Sequence, residues 1–403
     1  MKKLLVITGK SFAIFFLSLL FILALFSVSP VYDFEIPGPF RGPDIFNPYS
    51  ALDTTKVWKR ANFHTHTKVE SPLNECDYWP DEVYDAYSRF GYDIVTFSNH
   101  NALTVHPFDS TLQVNVYEHG YNLFKYHLLV FGSDDVCHFD PLLPILTSQR
   151  QWKLDMLGKD SDFIQLNHPF RTNLTSRDDM ECLTGYRITE LDSGVTTEQE
   201  YWDWSLSAGH YSFALANDDL HYPDRSDKIA VRCNMLCCDG ADYATLKSTL
   251  LSGAYYCMRV PDFGEGDWDV KYDSNRTLPQ ISDIGLKADT AYVCLSRPAA
   301  RIKATGQDAR TLEEAENSDT LSWKMRPEDS YVRFTAYFDD GVVIYTNAFA
   351  RYDASVADSP YVESPHSVNV LLTILYNLLV LAVAAGCAVL IWATVRSGRK
   401  RAR

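Results

Sequence analysis

The chain has 403 residues, enough for one large domain and a smaller one around a substantial core. A formal net charge of −15 and a pI near 5.1 exclude a DNA- or RNA-binding surface, because neutralising nucleic-acid phosphates needs a basic face. A small phosphoester is not excluded, since bound divalent cations dominate their local field whatever the global charge.

Residues 1–29 open the chain with an almost wholly apolar run, 11–28, behind Lys2, Lys3 and Lys10. This fits a signal peptide or a signal anchor, and the lack of a small-x-small cleavage site before Pro30 favours the uncleaved anchor. Residues 30–56 carry Pro30, Pro37, Pro39, Pro43 and Pro48 and read as an extended spacer. From 57 to 261 helical and strand patterns alternate. Residues 80–91 begin with Pro80, Asp81 and Glu82, place Val83, Tyr84, Tyr87 and Phe90 on one face and stop at Gly91, which predicts an amphipathic helix. Residues 92–98 read as a buried strand. Further helices are predicted at 149–157 and 197–208, with strands at 163–166 and 211–216. Repeated β-α units predict an α/β fold with parallel strands and right-handed crossovers.

After about Asp262 the pattern changes. Residues 331–338 alternate in strand fashion, Asp339-Asp340-Gly341 turns, and 342–345 return, a β-hairpin signature. With strands expected at 291–295 and 300–305, residues 262–351 form a small antiparallel β-domain. A second spacer, 352–367, leads to an apolar stretch, 368–395, read as a transmembrane helix, and a basic tail, 396–403, containing Arg396, Arg399, Lys400, Arg401 and Arg403. By the positive-inside rule both ends lie in the cytoplasm, and the region between the two spans lies outside the cell membrane. Nine cysteines are present, with Cys387 inside the second span. Eight others permit disulfides outside the cytoplasm, but their connectivity is not readable from spacing.

Most of the histidines fall into short clusters with Asp, Asn or Glu: Asn62-Phe63-His64-Thr65-His66, Ser98-Asn99-His100-Asn101, Tyr117-Glu118-His119 with His127 following, Asn167-His168-Pro169 and Asp218-Asp219-Leu220-His221. Imidazole nitrogens and carboxylates are the ligand set of Zn, Mn and Fe, and a bridging carboxylate holds two such ions together. Most clusters follow an apolar run, which places them at strand ends. No nucleophilic Ser or Cys triad, P-loop or GxGxxG supports a different chemistry.

The order HxH, an H in a (T/S)-(D/N)-H-N turn, then Glu, His, HP and D-x-H resembles the PHP (polymerase and histidinol phosphatase) superfamily of metal-dependent phosphoesterases, over residues 62–259. The resemblance implies a distorted (β/α)7 barrel and two or three divalent metal ions. Its implied metal ligands are His64, His66, His100, Glu118, His127, His168, Asp219 and His221. HxH on a strand points both imidazoles to one face, so His64 and His66 share one ion with Asp219, Glu118 bridges, and His127 and His168 hold the second. Asp134 is the rival for the bridging role. His100 and His221 belong to a third site. There the pattern departs: Asn99 replaces the usual Asp of the turn, and the acid expected after HxH is left to Glu70, Glu75 or Asp77. Arg171 is the leading cation for holding the ester, ahead of Arg225 and Lys68.

The reading is a membrane-anchored, outward-facing hydrolase of a small or surface-linked phosphoester, with Glu118, Asp219 and Arg171 as its catalytic groups. The rival is a noncatalytic metal-binding sensor or envelope-interaction protein on the same scaffold. Oligomeric state is not legible.

Overall fold

The computed structural model describes all residues except 1, 54, 56, 71–73, 122–123, 143–144, 172–173, 195, 198, 265 and 401–403. Ser71, Pro72 and Leu73 of the acidic stretch, Arg401 and Arg403 of the tail, and the side chains of Lys2, Lys3, Arg399 and Lys400 lie outside what is described.

Helix α1 (Lys2–Leu25) leads to short strands β1 (Tyr32–Phe34) and β2 (Asp44–Phe46). The histidine-bearing region runs β3 (Trp58–Asn62), α2 (Pro80–Ser88), β4 (Ile94–Val95), β5 (Val116–His119), β6 (Leu128–Phe131), α3 (Thr147–Leu157) and β7 (Phe163–Leu166). It continues through α4 (Arg177–Cys182), β8 (Ile188–Ser193), β9 (Thr196–Thr197), α5 (Glu200–Ala208), β10 (Phe213–Asn217), β11 (Arg232–Cys237), α6 (Tyr243–Ser252) and β12 (Tyr255–Arg259). Then come α7 (Trp268–Asn275), β13 (Ile281–Lys287), β14 (Thr290–Gly306), β15 (Arg310–Lys324), β16 (Tyr331–Tyr337), β17 (Val343–Thr346) and β18 (Phe349–Tyr352). Strand β19 (His366–Val368) and helix α8 (Val370–Lys400) finish the chain.

The architecture is mixed α/β with several sheets, none of them closed by a continuous ladder. One sheet has the order β10-β8-β7-β6-β5, with β9 on β8; another runs β13-β14-β16-β17-β12-β11-β3-β4 and also carries β15, β18 and β2. The two meet at isolated parallel bridges, Thr65 with Leu220 and His100 with Glu118. Thr65, Leu220 and His100 lie just beyond strand ends and Glu118 lies near the end of β5, so both bridges sit among the candidate ligands.

Strand direction corrects the expectation of uniformly parallel strands. β3 and β4 are parallel, as are β7, β8 and β10, but β6 is antiparallel to both β5 and β7, and β11 to both β3 and β12. The connection between β5 and β6 is too short for a crossover, which takes a dozen residues or more, so the chain must reverse. The reversal matters for the site. His127 precedes β6, and only because β6 runs backwards does its start lie beside the ends of its neighbours.

The strand expected at 92–98 is laddered only at Ile94–Val95, although Thr96 N still donates to Asn62 O and Ser98 N to Thr65 O. The two strands expected at 291–295 and 300–305 are one strand, β14, whose pairing with β15 breaks between Cys294 and Ala299, at Pro298. β15 has no counterpart in the sequence reading, because both its faces are mostly exposed and polar. The sheet passes from β3 through β11 and β12 into β17 and β16 without a break at residue 262.

The spacers are tied down. β1 pairs with β19, joining the two segments next to the terminal helices, and Gly209, at φ 92 after α5, lets Gly38 O approach where no side chain would fit. α1 and α8 are long and apolar enough to cross a membrane and pack together: Lys10 Nζ donates to Ser397 Oγ at 2.8 Å, and Asn377 accepts from Ser29 N at 3.1 Å. All nine cysteines are free thiols.

Candidate metal centre

Beyond β3 the chain stays extended, held on both sides: Phe63 N donates to Asn217 Oδ1, Thr65 N to Ser98 Oγ and His66 N to Leu220 O. His64 and His66 therefore share a face, with ring centroids 5.4 Å apart. Nε2 of each lies 3.2 Å from Glu118 Oε2 and 3.2 Å from Asp219 Oδ1. Ligand bonds of about 2.1 Å in a tetrahedron put ligand atoms roughly 3.4 Å apart, so these four atoms have the spacing of one coordination sphere. Glu118 turns its other oxygen to a second group, with Oε1 3.1 Å from His127 Nδ1 and 3.4 Å from His168 Nε2. A third group forms around Glu75, whose Oε2 is 3.0 Å from His100 Nε2 and 3.2 Å from His221 Nε2.

All eight sequence-read ligands thus converge, and Glu75, rather than Glu70 or Asp77, meets the two histidines of the third group. His100 also lies 3.1 Å from Glu118 Oε2, so this group abuts the first two. Asp134 is elsewhere: it is exposed and accepts from Asn115 Nδ2. Asn99 faces away from the carboxylates. Its amide accepts from Thr67 N at 2.7 Å and donates to Thr67 Oγ1 and Thr104 Oγ1, a set of bonds an Asp carboxylate lacks the donors to make. Arg171 pairs with Asp219 Oδ2 and so braces a ligand while lining the cavity. Arg225 pairs with Asp227, and Lys68 lies over the Trp79 ring.

Glu190, on β8, is the group the sequence reading missed. It is fully buried, its Oε1 is 2.9 Å from His64 Nδ1, and its Oε2 accepts from His168 N. A carboxylate on Nδ1 fixes the proton there and leaves Nε2 free to ligate. The available signal was an acid at alternate positions, Glu190 and Asp192, of a strand buried on both faces. Lys125, exposed at the cavity mouth, was also missed. Two candidate ligands carry left-handed backbone, His168 at φ 24 and Asp219 at φ 49, strain that persists where surroundings impose it and that clusters at working sites.

Electrostatics follow from three buried acids. Burial alone would lower the His64 imidazole, but Asp219, Glu118 and Glu190 outweigh it and hold it well above its ordinary value. His100 and His221 are also raised against burial, by Glu118 with Glu75 and by Glu75 with Asp219 respectively. Burial would raise Glu118 and Asp219, yet the surrounding histidines hold both well below the carboxylate range. His127, where burial prevails, falls to about 4. The acids demand positive charge, and either imidazolium or divalent metal supplies it. The donor set fits metal: His64 Nε2 is buried, lies 3.2 Å from one oxygen of each of two acids without a well-aligned hydrogen bond to either, and has Glu190 on its other nitrogen.

The site opens through a cavity of about 240 Å³, lined by Glu75, Tyr121, Lys125, Arg171 and the candidate ligands other than His64 and His66. No family model and no curated protein matches the chain. Among solved structures it is similar to a two-domain protein containing a predicted PHP-like metal-dependent phosphoesterase from Bacteroides vulgatus ATCC 8482, with a TM-score of 0.39 and 13% identity over 78% of this chain and 98% of that one. At that similarity the likeness is distant, and the site's own geometry carries the chemistry.

Proposed function

We propose that the protein is a membrane-anchored, metal-dependent phosphoesterase of PHP type. The observation that carries the reading is Glu118, whose two oxygens face two separate sets of imidazoles. In this reading His64, His66 and Asp219 hold one ion, His127 and His168 a second, and His100, His221 and Glu75 a third. Divalent Zn, Mn or Fe in such a site acidifies a water and clamps phosphoryl oxygens. The chain's own groups do the rest. Glu190 fixes the His64 tautomer, Arg171 braces Asp219 and offers its remaining N–H groups to the ester, and Lys125 attracts the anion at the mouth. Strands β3 to β8 and β10, with the two-residue β9 set aside because it pairs only with β8, are read as a seven-stranded distorted barrel, which the two bridges at Thr65 and His100 support. The apolar α1 and α8 support two membrane spans, and the cations that flank them in the sequence are the ground for reading both ends as cytoplasmic and the site as outward-facing.

The test is to purify the full chain, count bound metals by mass spectrometry and screen phosphomonoesters and phosphodiesters. The reading expects two or three metals and turnover of at least one class, with both lost in His64→Ala and Asp219→Ala. Full metal content with no hydrolysis across the panel overturns it. A reporter active only in the cytoplasm should work when fused after Arg403 and fail when inserted at 352–366.

A further inference from the structure

We infer that the metal-site cavity opens onto the membrane surface and that its substrate is a phosphoester of a bilayer lipid. This rests on the phosphoesterase and membrane readings above and adds the substrate class.

Helix α3 links the site to the apolar helices. This helix precedes β7 by a short turn and packs Leu154 and Leu157 with Ile164, so its N-terminal end lies beside the end of β7 that carries His168. Contacts from its first turns reach the site's walls. Arg150 Nη2 donates to Leu174 O, three residues past Arg171, and Lys153 Nζ donates to Tyr126 O, next to His127. Lys153 also pairs with Asp140, which accepts from Tyr121 N on the cavity rim.

The same end of α3 holds the ends of the apolar helices. Gln149 Nε2 donates to Ser27 O at 3.2 Å and lies 3.1 Å from the Tyr376 hydroxyl, and Tyr32 N donates to Ser148 Oγ at 3.0 Å. Phe26, just past α1, stacks on Phe139 with centroids 6.4 Å apart. Phe139 O in turn accepts from His119 Nε2 at 2.9 Å, beside Glu118. The chain then runs down α3 away from this level: His366 reaches Asp155, farther along the helix. The ligand-bearing end of the strands is therefore the end nearest the membrane.

Exposed apolar side chains mark the same rim. Tyr121, Phe139, Ile145, Leu146 and Leu174 are 38–57% exposed, all on segments that touch either the helix ends or the cavity wall. A bilayer meeting α1 and α8 at their outer ends covers this patch, and lipid phosphates then lie level with Lys125 and Arg171. In the reaction water oxygen bonds to phosphorus, the ester P–O bond breaks, and a water proton passes to the departing alcohol.

The test uses the full metal-loaded chain in nanodiscs. Lipid phosphomonoesters and phosphodiesters in the bilayer are compared with the same headgroups on short, water-soluble chains. The inference expects bilayer substrate to turn over about tenfold faster or more, and Ile145→Ser with Leu146→Ser to lower the bilayer-to-soluble ratio about tenfold. A second readout needs no activity: the fluorescence added by Ile145→Trp, taken against the parent, should be quenched by lipids brominated on their chains. Hydrolysis of the soluble esters alone overturns the inference and leaves the phosphoesterase standing. Hydrolysis of neither overturns both. An unquenched tryptophan, with or without a second copy of the chain covering the patch, overturns the orientation.

Discussion

Asp203 on α5 and Glu118 on β5 are both buried acids, and the groups that meet them differ in kind. Asp203 is gripped by Arg333, with Nε on Oδ1 at 2.8 Å and Nη2 on Oδ2 at 2.6 Å, and the Tyr331 hydroxyl adds a bond at 3.0 Å. A guanidinium is always charged and matches both oxygens at once, so this pair is closed. Glu118 is surrounded by His64, His66, His100, His127 and His168, each able to shed its proton and offer a lone pair. Burial alone does not distinguish a structural acid from a metal ligand. The exchangeability of its counter-charge does.

The largest expected effect separates the two regions. Glu118→Gln should empty the site of metal and lower turnover by more than the roughly 100-fold typical of losing an outer partner, because an amide does not supply two charged oxygens. Asp203→Asn should leave metal content intact and cost about 3–5 kcal/mol of stability, since Arg333 stays buried with its pairing broken. Metal analysis and thermal unfolding on both variants read the contrast; metal loss in Asp203→Asn with retention in Glu118→Gln would break it.

Next in size is Glu190→Gln. If this carboxylate sets the His64 tautomer, metal affinity should fall roughly 10–100-fold while the domain stays folded, measured by competition with a chelator. An unchanged affinity would reduce Glu190 to a structural acid like Asp203. Smaller again is Glu75→Gln, at a half-exposed side chain. It should remove only the third metal and spare the other two, and loss of all metal would show that the three groups act as one.

Much of this site was legible because its residues sit in short motifs. His64 and His66 two apart on the extended chain past β3, and Asp219 and His221 two apart past β10, announce themselves. Glu190 did not, because its strand reads Ile188-Thr189-Glu190-Leu191-Asp192-Ser193 with no histidine near it, and only the fold lays it against His64. Glu75 was one of three acids in a stretch without periodicity, and spacing had no means of choosing. The reversal of β6 was hidden for a different reason: a strand's direction depends on its connections, whereas its apolar pattern reads the same both ways. β15 was missed because an edge strand with polar faces lacks the alternation that marks a strand.

The smallest effect sharpens the comparison among the histidines themselves. His210 is buried, donates from Nε2 to Glu181 O at 2.8 Å and has the Ser364 hydroxyl at Nδ1, with no carboxylate at either nitrogen. Burial pushes it below its ordinary value. It is neutral in the folded chain, so at neutral pH it contributes no pH dependence; as pH falls below the ordinary histidine value the unfolded chain takes up a proton the folded one refuses, and stability drops. His64, His100 and His221 have the opposite sign in metal-free protein. Raised by their acids, they bind protons more tightly when folded, and their contribution is present below the ordinary value and lost as pH rises through the raised ones. Unfolding of metal-free His210→Gln and parent between pH 7.5 and 5 should therefore show the parent losing more stability on acidification than the variant. Equal curves would mean that His210 keeps an ordinary affinity for its proton, and that burial without a carboxylate does not set the behaviour of imidazoles in this fold.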